Sequence, residues 1–126
     1  MKLILQPEGS HLCGQACIAM AASVSLKRAI EAVGHERGTN TRDVVAAFAA
    51  LGIGCSSRLV RISRKRPTLP ARAIVVIHRP AVEYERRNPH WHWMLTWDGK
   101  IYDPGGRWPE GYVQWKMTSY LEIRGN

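Results

Sequence analysis

The sequence lacks long apolar runs. The longest, AIVVI at 73–77, is five residues, far short of the roughly 20 that a membrane-spanning helix requires. The opening MKLILQP has one lysine and three apolar residues before Gln6-Pro7, too few for the apolar region of a secretory signal. These absences predict a cytoplasmic chain with no integral membrane segment. Cysteine is scarce and odd in number: Cys13, Cys17 and Cys55 cannot all pair, and thiols in the cytosol stay reduced. Cys13 and Cys17, with His11 nearby, could begin a zinc site, but no second pair follows at finger-like spacing. Acidic residues are few, 10 against 18 lysines and arginines, for a net charge of +8. The densest basic stretch, RLVRISRKR at 58–66, suits attraction to nucleic acid, anionic lipid or an acidic substrate. No aromatic residue is interleaved with those charges, however, and lysine and arginine also protect an edge strand from pairing. A solvated edge is the favoured reading, and nucleic acid is not the expected partner. There are no internal repeats and no low-complexity segments.

What is present fits one domain over residues 1–126, with an apolar content of 45% sufficient for one core. A helix is expected from about Cys13 to Val24, where Cys13, Cys17, Met20, Ala21 and Val24 share a face. Ser25 can cap a second helix with the stripe Leu26, Ala29, Ile30, Val33 and a stop at Gly34. Thr39-Asn40-Thr41 offers a cap for a third, with Val44, Val45, Phe48 and Leu51 on its apolar face. Then the period changes. Leu59, Val60 and Ile62 suggest a strand; AIVVI reads as a buried one; HWHWMLTW at 90–97 alternates; KIYD at 100–103 returns after the strong hairpin turn Asp98-Gly99; SYLEIR at 119–124 closes the series. Helices followed by an antiparallel sheet predict an α+β domain.

The hairpin carries chemistry. With Asp98-Gly99 as a two-residue turn, Trp97 faces Lys100, Thr96 faces Ile101, Leu95 faces Tyr102 and Met94 faces Asp103. Side chains alternate between faces, so His90, His92 and Met94 share a face with Asp103. His92 is the diagonal cross-strand neighbour of that carboxylate, and His90 lies one step further away. Cys13, at the start of the first helix, sits where unpaired N–H groups and the helix dipole favour a thiolate. A thiolate needs a proton partner, and that partner needs a third group to fix its tautomer. Cys13, His92 and Asp103 meet this requirement in type and in chain order. The amide of Gln6, with the Cys13 backbone N–H, could stabilise an oxyanion; Gln15 or backbone donors are substitutes. Gly14 would leave the flank of Cys13 open for substrate, and His90 would sit on the rim. Trp91 and Trp93 lie on the opposite face, where packing is the first reading and substrate contact the second. Each residue also has an ordinary structural role open to it: a core cysteine, a strand histidine, a turn-starting Asp103-Pro104, a solvated Gln6. Their joint occurrence favours catalysis.

The runs that carry these residues resemble the papain-like cysteine peptidases, and most closely the bacteriocin-processing group that removes double-glycine leader peptides. That group has a glutamine followed by a CG-x-AC-x-AM run, matched here by Gln6 and CGQACIAM. Segments like GTNTRDVVAAFAALGI and LPARAIVVI follow, its histidine opens an apolar strand as in HWML, and its aspartate precedes proline as in YDPGG. The resemblance spans about residues 1–106. It implies a papain-like fold with Cys13 as nucleophile, His92 as general base, Asp103 as its orienter and Gln6 as oxyanion donor, acting on a peptide or protein substrate without a cofactor, with small residues such as glycine beside the broken bond. Gln6 lies seven residues before Cys13 where the group usually shows six, and the group's membrane exporter has no counterpart here. Papain-like amidases, deamidases and transglutaminases, or an inactive peptide-binding member, are the alternatives the same resemblance allows.

Overall fold

The computed structural model describes residues 1–63, 68–79 and 91–124. Candidate His90 and the charges Arg64, Lys65 and Arg66 of the basic cluster lie outside the described residues. Three helices come first: α1 (Cys13–Ala22), α2 (Leu26–Val33) and α3 (Thr41–Ala50). The ends follow local chemistry. Ser25 accepts the Arg28 N–H at 3.0 Å and caps α2. To do so it must be extended, so α1 stops short of the expected Val24, at a left-handed Ser23 with φ 55°. Gly34 at φ 91° closes α2. Asn40 and Asp43 form a reciprocal capping box at the head of α3, with bonds of 2.8 and 3.1 Å. The apolar stripe expected on α1 is wider than a stripe. Gly14 through Ala21 are all buried, because this small-residue helix packs against α2, α3 and the sheet at once.

The strands are β1 (Gly54–Cys55), β2 (Val60–Arg61), β3 (Arg72–His78), β4 (Trp91–Trp97), β5 (Lys100–Tyr102) and β6 (Lys116–Arg124). They form an antiparallel sheet in the order β1-β6-β3-β4-β5, with β2 also paired to β6. The fold is α+β. The run AIVVI is the centre of the sheet, and both its faces are covered. Ile74 and Val76 pack with Ile18, Phe48, Trp93 and Leu95 on the helical face. Ile77 packs with Met94 and Tyr112 on the other, beside Trp108, Trp115 and Met117. A short 3₁₀ turn, Glu110–Tyr112, lies in the connection that forms this second cluster. Among the described residues no helix is long and apolar enough to cross a membrane.

The hairpin has the register read from its turn: Leu95 opposite Tyr102, Thr96 opposite Ile101 and Trp97 opposite Lys100. Asp98 and Gly99 both have positive φ, 51° and 87°, as a type I′ turn demands. Pairing ends at Tyr102, because the chain turns at Asp103, whose carbonyl accepts the Gly106 N–H at 2.9 Å. β5 therefore covers only the last three residues of β4. The stretch of β4 around His92 has no β5 partner, and α1 packs on this same strand.

Candidate active site

His92 and Asp103 meet. The imidazole Nε2 is 2.6 Å from Asp103 Oδ1, and both side chains are well shielded, at 13% and 3% exposure. The His92 ring also lies close enough to the Cys13 thiol for the two to interact electrostatically. With Nε2 engaged by the carboxylate, Nδ1 is the nitrogen left for sulfur. Burial opposes a charge on the ring, but the bond to Asp103 and the interactions with Cys13 outweigh it and push His92 up to about 9. Asp103 is 4% exposed. Burial would raise its carboxyl, yet the bond to His92 and backbone donors hold it at about 2. Those donors are the N–H groups of Gly105 (2.8 Å, to Oδ1), Arg107 (2.8 Å, to Oδ2) and Trp108 (3.1 Å, to Oδ2). The carboxylate thus organises the turn after β5 as well as the imidazole.

Cys13 is the first residue of α1 and is partly exposed. The first bond of the helix runs from Ala16 N–H to the Leu12 carbonyl, at 2.9 Å. The N–H groups of Cys13, Gly14 and Gln15 therefore precede the intrahelical ladder, and no acidic residue stands in the first turn. Cys17, one turn on, is fully buried, and that burial raises its thiol well above the ordinary value. Burial also raises Cys55. Among the described residues no three histidine, cysteine or acidic side chains are grouped to hold a metal ion.

No protein-family model matches the chain, and no curated protein matches it significantly.

The remaining sequence candidates fall in different places. Gln6 lines a depression of about 500 Å³ that His92, Arg107 and Tyr112 also line. Its backbone N–H bonds the Pro104 carbonyl at 2.9 Å. Its side-chain Nε2 donates to the Ser10 carbonyl at 3.0 Å, which uses one of its two amide hydrogens. Gln15 is fully buried, and its Nε2 donates to the carbonyls of His35 (3.2 Å) and Arg37 (2.9 Å). It braces the turn after α2 and is spent as an oxyanion substitute. Gly14 does not open a flank to solvent. It is buried, and a Cβ there would lie 2.1 Å from Thr39 Oγ1, so its missing side chain admits Thr39. Trp93 is buried on the helical face, with Nε1 donating to the Thr39 carbonyl at 3.3 Å. Trp91 meets it edge-on at 5.6 Å. Both line an apolar cavity of about 230 Å³ on the face of β4 away from His92.

The sequence reading passed over one group. Tyr112 stacks on His92, with ring centroids 5.5 Å apart and planes at 22°. The signal was available: Trp108, Tyr112 and Trp115 form an aromatic run with helix-like spacing soon after Asp103.

Proposed function

We propose that this chain is a papain-like cysteine hydrolase that cleaves a peptide or isopeptide bond through an acyl-enzyme on Cys13. One observation carries the reading: a single imidazole bonds a buried carboxylate at 2.6 Å and interacts with the thiol of Cys13 at the head of α1. His92, backed by Asp103, takes up the Cys13 proton as the sulfur attacks. The thiolate attacks the carbonyl carbon, and the carbonyl electrons move to oxygen. The Cys13 backbone N–H and the second amide hydrogen of Gln6 are suited to hold that oxyanion. Collapse breaks the C–N bond as His92 delivers its proton to the leaving amine. Water then attacks the thioester and gives its proton to His92, and collapse releases the acid and the Cys13 thiolate. No cofactor enters this sequence, and the predicted cytoplasmic setting keeps Cys13 reduced.

The test is mass spectrometry of candidate peptides and proteins after incubation with the wild type and with Cys13→Ala. New termini that depend on Cys13 support a peptidase. Conversion of glutamine to glutamate, or amine incorporation, without a new terminus assigns the same acyl-enzyme to a deamidase or transglutaminase. Failure of Cys13 to react selectively with a thiol probe would defeat the catalytic reading altogether.

A further inference from the structure

The side of the site that receives the leaving group carries an unpaired cation. His92 must hand its proton to the departing amine, so the chain beyond the broken bond has to pass along the imidazole. The depression of about 500 Å³ lined by His92 and Gln6 offers that space. Its wall also holds Glu8 and Arg107. Both are exposed, and neither has an ion-pair partner among the described residues. Arg107 is nonetheless held in place. Its N–H donates to Asp103 Oδ2 at 2.8 Å, and its carbonyl accepts the Gly111 N–H at 2.7 Å. A Cβ on Gly111 would lie 2.5 Å from Arg107 Cβ and 3.4 Å from its Cγ and Cδ, so the missing side chain of Gly111 makes room for the arginine stem. The guanidinium carbon lies 4.9 Å from the centre of the Tyr112 ring. A guanidinium laid over a ring keeps its in-plane N–H groups free, and these can grip both oxygens of a carboxylate.

We propose that Arg107 selects the leaving side of the substrate: the residue just beyond the cleaved bond presents a carboxylate to its guanidinium. That carboxylate is either an acidic side chain or the end of the chain itself. The proposal rests on the catalytic reading above. A side chain already held by Gly111 and Tyr112 loses little freedom when a ligand arrives. Glu8 stands in an exposed turn and opposes an anion. The fixed guanidinium is the stronger partner, and the net charge of +8 adds long-range attraction for acidic chains.

The experiment loads Cys13 with an acyl group and asks which amine removes it. The donor is the S-phenyl thioester of acetyl-Gly-Gly, which transfers its acyl group to Cys13 and releases thiophenol. The amines are glutamine α-amide, glutamate α-amide and free glutamine, compared at equal free-amine concentration. They are near-isosteres with no carboxylate, a side-chain carboxylate and a terminal carboxylate. The amine nitrogen attacks the thioester carbon, the C–N bond forms as the C–S bond breaks, and the surplus amine proton passes through His92 to the sulfur. Products are counted by mass after subtracting the background with Cys13→Ala. At least one carboxylate-bearing amine should be used about fivefold better than glutamine α-amide, the upper end for a solvent-exposed ion pair, and which one it is assigns the source. The preference is a ratio within one variant, so loss of active enzyme cancels. Arg107→Gln should bring it to parity, and Arg107→Lys, which keeps the charge without the fork, should retain part of it. Glu8→Gln should widen it, and about 0.5 M salt should shrink it. If Arg107→Gln does not fold, the Glu8→Gln and salt responses decide, and no change in either would overturn the proposal. Equal use of all three amines, use of none, or a preference that survives Arg107→Gln would overturn this proposal alone. Absence of an acyl-enzyme on Cys13 would overturn the catalytic reading and this proposal with it.

Discussion

At the scale of single residues, the three cysteines should separate cleanly. Cys13 is partly exposed and interacts with an imidazole, whereas burial raises Cys17 and Cys55. Iodoacetamide at about pH 6, with site mapping, should label Cys13 first; equal labelling at Cys55 would contradict the assignment. Asp103 has two duties and should fail in two ways. In Asp103→Asn one carboxylate oxygen becomes an NH₂, which must face either His92 and the Gly105 N–H or the Arg107 and Trp108 N–H groups. Loss of buried charge-assisted bonds of this kind costs about 1.5–3 kcal/mol each. The variant should melt well below the wild type. Activity should fall too, by about two decades, less than the roughly four decades of the same exchange in a serine-protease triad, because a thiol, more acidic than a hydroxyl, depends less on the third member. A variant with wild-type stability and rate would remove both duties.

At the scale of elements, two joints decide where the reacting groups stand. The first is α1 against the residue before the α3 cap. Gly14→Ala would drive a Cβ into Thr39 Oγ1. Overpacking of this kind costs about 1–3 kcal/mol, and the double variant with Thr39→Ala should recover part of the loss. Simple additivity of the two changes in a denaturation cycle would refute that contact. The second joint is the hairpin turn. Gly99→Val puts a β-branched residue at φ 87°, where L side chains are strained. Any slip in pairing swings His92 to the other face, so Cys13 alkylation should suffer more than the melting temperature indicates. Asp98→Asn, which keeps a favoured turn dipeptide and removes only an exposed pair with Arg72, should change neither. The same contrast explains what was legible in the sequence. The β4–β5 register and the His92–Asp103 contact follow from a two-residue turn, and the helix caps follow from local side chains. The partners of Gly14 and His92 do not. Thr39 and Tyr112 arrive from 25 and 20 residues away, and local patterning is silent about which distant group fills a gap. The insertion of β6 between β1 and β3 is equally non-local.

At the scale of the whole molecule, His92 and Asp103 give stability a pH signature. His92 is raised from 6.5 to about 9, so its contribution is complete below 6.5 and is lost as pH rises through about 9. Asp103 is lowered from 3.8 to about 2, so its contribution is complete above 3.8 and is lost as pH falls through about 2. Thermal unfolding across pH should therefore show both contributions intact between the two ordinary values, and the alkaline decline should flatten in His92→Ala. An identical profile in that variant would count against the pairing. Chain order gives the architecture a temporal side. A ribosome delivers Cys13 early and Asp103 ninety residues later, and β3 lacks one of its two neighbours until β6 has been made. The sulfur accordingly emerges unarmed. On the reading proposed above, its imidazole partner and that partner's carboxylate reach it only when the sheet closes, which would spare the chains being made around it, and its own, from cleavage.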